Sequence, residues 1–139
     1  MAFEWHGYPR DMSDLVDIDT VPAIDVWGDA VRARRIEGEK ITLAIVELKP
    51  NAVVPEHQHP SEQIGFVIQG SVTFTIDGET RLLGPGGTWR ILSNRPHGVT
   101  VGPEGAVVVD VFSPTRSDWD RFPLMSRIQP VWPGGSFED

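Results

Sequence analysis

Turn-forming clusters dictate what this chain can become. Gly70, Asp77-Gly78, Gly84-Pro85-Gly86-Gly87, Ser93-Asn94-Arg95-Pro96 and Gly102-Pro103-Glu104-Gly105 cut the sequence into short segments that leave no room for long helices. The segments between them are β-branched. Ile41–Leu48 (ITLAIVEL) reads as a strand buried on both faces, preceded by the alternation of Val31, Ala33 and Arg35 with Arg32, Arg34 and Ile36. Gln63–Gln69 is a further strand, ended by Gly70. Val72, Phe74 and Ile76 alternate with Thr73, Thr75 and Asp77, and Asp77-Gly78 supplies a type I′ turn into Glu79–Leu83. Thr88–Leu92, a strand from His97, and Ala106–Ser113 (AVVVDVFS) complete the set. Short strands at this spacing predict an all-β sandwich or barrel.

The barrel core is expected over about 30–115. Residues 1–28 form an irregular arm and 117–139 a tail, with one helical turn at Ser117–Phe122, and the whole is a single domain. Twelve basic against twenty acidic side chains give a net charge of −8, which excludes sequence-independent binding to nucleic acid or anionic membranes. The absence of cysteine excludes disulfides, thiolate nucleophiles and sulfur-ligated metals. No leader-like or membrane-spanning run is evident, so a soluble cytoplasmic protein is expected.

Three of the four histidines, His57, His59 and His97, lie in the β region. In His57-Gln58-His59 the imidazoles share one strand face, as two ligands of one metal must. The run HQHPSEQIGFVIQG, from His57 to Gly70, resembles the first motif of the cupins: His-x-His, three spacers, Glu or Gln, six spacers, Gly. GGTWRILSNRPH, from Gly86 to His97, resembles the second, with Leu92 and Asn94 replacing its usual Pro and Gly. Asn94 suits a position that needs positive φ, and Asn51 likewise stands where the first motif usually opens with Gly.

The resemblance implies a jelly-roll barrel (double-stranded β-helix) with metal ligands His57, His59, Gln63 and His97. Glu62 competes with Gln63 by chemistry but has the wrong strand parity and the wrong spacing to Gly70. Three imidazoles and a carboxamide leave the charge of a divalent ion uncompensated, and Ni, Zn, Mn or Fe(II) suits such a donor set. A substrate carboxylate, hydroxyl or enolate oxygen would be drawn to it.

Asp110 interrupts the apolar run Val107–Phe112 on the face of Val108 and Phe112. It is either a general acid/base or a structural partner of Arg34, Arg90 or Arg116. The stretch GAVVVDVFSPTR, Gly105–Arg116, resembles the closing strand of small cupins from pectin degradation, which convert 4,5-unsaturated uronate monosaccharides to linear keto forms. That resemblance implies that Asp110 moves protons, Phe112 shapes the pocket and Arg116 holds the uronate carboxylate. Gly65 departs from the subgroup, which has a polar pocket residue there. Arg90 and Arg34 are further pocket candidates, and either Trp89 or Arg90 must point inward.

The expectation is therefore a metal-dependent enzyme isomerising a small sugar acid or keto acid. A cupin dioxygenase is disfavoured by Gln63 in place of a carboxylate, and a non-catalytic binding module is the other alternative. A tyrosine-based lyase is disfavoured because the one tyrosine, Tyr8, lies outside the barrel. The resemblance also implies a homodimer, with Trp5, Tyr8, Trp27 and Trp132 of the arm and tail across the interface.

Overall fold

A computed structural model describes residues 13–125 and 128–137. Its framework is eight antiparallel strands: β1 (Ile24–Asp25), β2 (Val31–Glu37), β3 (Thr42–Leu48), β4 (Val53–His57), β5 (Glu62–Ile76), β6 (Glu79–Leu83), β7 (Thr88–Ile91) and β8 (His97–Ser113). The order is β1-β2-β3-β8-β5-β6, with β4 added to β8 and β7 to β5. Among the described residues, helix is limited to single 3-10 turns at Ile18–Thr20 and Ser117–Arg121.

Two strands are far longer than the sequence suggests, because β5 continues through Gly70 and β8 through Gly102–Gly105. The first half of β5 pairs with the second half of β8 (Glu62↔Ser113 to Gly70↔Ala106), and its second half with the first half of β8 (Val72↔Val101 to Ile76↔His97). Between these pairings the register shifts at Gly70/Val72. Gly70 and Gly105 both have positive φ, 80° and 79°, and a Cβ on Gly70 would lie 2.0 Å from the Gly105 carbonyl. The two strands bend together at this close approach, where side chains would keep them apart. Each bent strand thus serves both halves of the sandwich: β1, β2, β3 and β7 flank one half, and β4 and β6 the other.

The core lies between the halves, with Val46, Leu48, Val67, Val72, Phe74, Trp89, Ile91, Val101, Val108 and Phe112 facing inward. Asp77 and Gly78 take φ of 49° and 91°, as a type I′ turn requires, and Asn51 and Asn94 take φ of 64° and 59°.

The outer face of β3 is covered only at one end. Leu43 and Ile45 are exposed or half-buried, whereas Glu47 is 1% exposed, so the strand is not buried on both faces throughout. Glu47 pairs with Arg32 and Arg34 and accepts a 2.6 Å hydrogen bond from the Val131 backbone N–H, while Arg34 Nη2 donates to the Ile128 carbonyl at 2.8 Å. The tail is thereby fastened over the outside of β2 and β3. The arm is less irregular than expected: β1 pairs with β2, and Val21, Ala23, Ile24 and Val26 are buried. Trp5, His6 and Tyr8 lie outside the described residues, and Trp132 is half-buried.

Candidate metal centre and its pocket

His57 ends β4 and His97 opens β8, and the two are cross-strand partners. His59 follows in the loop to β5, and Gln63 projects inward from β5 beside it. Ligating atoms of His57, His59 and His97 lie within 4.8 Å of one another. Gln63 Oε1 is 3.2 Å from His59 Nε2. Glu62, one residue earlier, is exposed on the opposite face.

The donor set fits a metal on independent grounds. Each Nδ1 faces a backbone carbonyl: His57 that of Pro55 (2.8 Å), His59 that of Ser61 (2.9 Å) and His97 that of Arg95 (2.8 Å). A carbonyl only accepts, so every Nδ1 carries a proton and Nε2 is the nitrogen left in each ring to ligate. Burial, together with the charge of Arg116, lowers the His59 pKa, and burial brings His97 down to about 4. Both rings are therefore neutral at physiological pH, as ligation requires. Gln63 Nε2 donates to Asp110 Oδ1 at 2.9 Å, which turns its carbonyl oxygen toward the imidazoles.

Asp110 is buried, and both of its hydrogen bonds come from neutral donors: Gln63 Nε2, and Trp89 Nε1 at 2.7 Å. Burial pushes its carboxyl up to about 6, against the pull of those bonds and of Arg116. It is not a structural partner of Arg34 or Arg90. Arg34 lies on the outer-face parity of β2 and is consumed by Glu47, so it does not line the pocket. Arg90 is exposed on the outer face of β7, while its neighbour Trp89 is the inward residue. Both pocket assignments are corrected by one step of strand parity.

That same step reveals a residue missed in the sequence. Arg35 shares the inward parity of Val31 and Ala33, and its Nη1 and Nη2 donate to the Arg116 carbonyl (3.0 Å) and Asp120 Oδ1 (2.8 Å). With Thr42 Oγ1, which accepts from the Arg116 N–H at 2.9 Å, it fixes the chain at Arg116.

Gly65 explains Trp89. It pairs with Trp89 on one side and Asp110 on the other, and a Cβ there would lie 2.4 Å from Asp110 Oδ1 and 2.7 Å from Trp89 Nε1. Glycine leaves the gap across which the indole reaches the carboxylate. The polar group missing at 65 is supplied from the next strand, a pairing invisible without the register. The alternation Trp89–Ile91 was the available signal.

One cavity of about 360 Å³ is lined by the three histidines, Gln63, Trp89, Asp110, Phe112 and Arg116. Phe112 stands edge-on to His59 (5.9 Å between centroids), and the Arg116 guanidinium lies over the rings of Phe112 (4.7 Å) and Trp119 (4.5 Å). Trp27, expected from sequence at a dimer interface, stands at the wall of this cavity 5.6 Å from His57. The volume is at the lower end for small-molecule sites. The pocket brings together a nitrogen-rich donor cluster, a guanidinium stacked on the Phe112 ring next to His59, and an ionisable carboxyl beside the cluster.

Comparison with known proteins matches this fold. The Cupin_2 family, described as a cupin domain, matches residues 44–112. The pectin degradation protein KdgF of Dickeya dadantii (strain 3937) is 33% identical over 104 residues, spanning 73% of this chain and 94% of that protein. The structure of KdgF from Halomonas sp. superposes with a TM-score of 0.70 at 27% identity, covering 77% of this chain and 98% of that one. An RmlC-like cupin from Shewanella frigidimarina NCIMB 400 shares the fold, with a TM-score of 0.71 at 20% identity over 78% of this chain and 96% of that one.

Proposed function

This chain belongs to the cupin family, and from that premise we propose that it is a metal-dependent enzyme opening 4,5-unsaturated uronate monosaccharides to linear keto acids. The observation that carries the proposal is the shared cavity. Three convergent imidazoles, an inward carboxyl hydrogen-bonded only by neutral donors and a stacked guanidinium face a space sized for one sugar ring. Similarity to a pectin degradation protein supports the same substrate class.

His57, His59, His97 and Gln63 would hold one divalent ion (Ni, Zn, Mn or Fe), which when bound supplies Lewis acidity toward a substrate oxygen. Arg116 holds the carboxylate, with its plane fixed by Phe112 and Trp119. Asp110 moves the proton: it leaves the anomeric hydroxyl as the carbonyl forms and the ring C–O bond breaks, and a proton returns to the alkene carbon. The hemiacetal becomes an aldehyde and the enol ether a ketone, with no net change of atoms. Gln63 and Trp89 keep the carboxyl aimed while this occurs.

Incubating metal-loaded protein with an unsaturated galacturonate monosaccharide should abolish the enol-ether absorbance and yield a product of unchanged mass. Persistence of that absorbance with fully loaded protein would remove the proposal.

We also read the protein as a cytoplasmic homodimer. Leu43, Ile64 and Phe66 are exposed on the outer face of the β3-β8-β5 half, and a second copy would cover them. Phe66→Asp should convert a dimeric mass to a monomeric one in light scattering. A monomeric wild type would dismiss this assembly.

A further inference from the structure

Arg116 already has a carboxylate on it. Its Nε and Nη2 donate to Oδ1 and Oδ2 of Asp118, both at 3.0 Å. This bidentate fork is the arrangement that a substrate carboxylate would seek. The guanidinium lies over both the Phe112 and Trp119 rings, and its side chain is only 10% exposed. Asp118 is 48% exposed and lines the same cavity, so it is the partner with freedom to move. Its carboxyl is lowered despite burial, because the hydrogen bond and charge of Arg116 outweigh desolvation. Asp118 stands in the 3-10 turn Ser117–Arg121, beyond the end of the family match at residue 112.

We propose that Asp118 is a specificity-determining residue: a resident carboxylate that competes with the substrate's carboxylate for Arg116 and limits how tightly the pocket holds small acids. An incoming acid must displace Asp118 or take the remaining edge of the guanidinium beside a like charge. Either route costs binding relative to a free arginine. A neutral sugar meets no such competition. The pocket consequently depends on the histidine cluster for much of its hold on an anionic ligand, and a carboxylate lacking groups to reach that cluster gains little from Arg116.

The identity of the substrate rests on the uronate reading, so the decisive probes are non-reacting. Calorimetry would compare D-galacturonate with D-galactose on metal-loaded full-length wild type, Asp118→Asn and Asp118→Ala. The Asn variant keeps one hydrogen-bond acceptor and removes the charge. Both variants should bind galacturonate roughly three- to fivefold more tightly than wild type, the scale of a partly exposed ion pair, with galactose unchanged. The gain should vanish in the Arg116→Ala background.

On unsaturated galacturonate the same factor should appear as a lower KM. If the wild type turns over no uronate, the enzymatic reading fails while the calorimetry still decides the competition. Equal or weaker galacturonate binding by Asp118→Asn would overturn the proposal and make Asp118 an orienting partner of Arg116. Galacturonate binding to none of the proteins would overturn it as well.

Discussion

Replacing Asp110 by asparagine should stabilise the metal-free protein while abolishing turnover of the metal-loaded one. Burial raises the Asp110 carboxyl from an ordinary 3.8 to about 6. The folded state therefore binds the proton more tightly than the unfolded chain. This contribution to stability is fully present below pH 3.8 and is lost as pH rises through about 6. A difference of about two pKa units corresponds to about 3 kcal/mol, the cost of keeping Asp110 ionised inside the barrel at neutral pH.

Asparagine carries no such cost and retains an acceptor for Gln63 and Trp89. Its advantage over aspartate should be about 1 kcal/mol near pH 4.5 and about 3 kcal/mol near pH 7.5. Urea denaturation of chelator-treated wild type and variant at the two pH values measures both numbers. Turnover of unsaturated uronate by the metal-loaded variant completes the comparison. An Asp110→Asn protein that is no more stable near pH 7.5 would refute the reasoning. The carboxylate would then be a well-satisfied structural anion rather than a strained functional one.

Other perturbations test the supporting structure. Gly65→Ala would place a Cβ 2.3 Å from the Val109 carbonyl, where backbone cannot yield. It should cost about 1–3 kcal/mol in denaturant titrations and alter the Trp89 fluorescence. Glu47→Gln would leave Arg34 buried without its counter-ion, so a loss of about 3–5 kcal/mol is expected, read as a lower urea midpoint. His97→Ala removes one of three convergent imidazoles, and elemental analysis after dialysis should show metal content falling well below that of wild type.

Where sequence and structure part company, strand register is the reason. Arg34 and Arg35 are adjacent and chemically alike, yet one faces the tail through Glu47 and the other fixes Arg116 in the site. Nothing in either residue says which way its strand is turned. The same holds for Trp89 and Arg90, although the apolar Trp89–Ile91 pair marked the inward face. Asp118 was illegible for a different reason. Its contact depends on a single 3-10 turn that folds the chain back onto the Arg116 edge.

The sequence alone determined the class of fold and named the three histidines, whereas the β4–β8 pairing brought His97 to His57. Turn clusters and β-branched runs act locally, whereas His59 lies in the loop beyond the end of β4 rather than on one strand face with His57. The positive φ of Asn51, Asp77 and Asn94 follows from the same local chemistry. Tertiary structure alone decided the rest. Gly70 and Gly105 became a shared bend rather than two strand ends, because Gly70 makes room for the Gly105 backbone and Gly105 for the Phe137 ring. Gly65 became the passage from Trp89 to Asp110, because strands distant in sequence lie on either side of it. Burial, a property of the assembled barrel, turned Asp110 from an ordinary carboxylate into a group that titrates near neutrality.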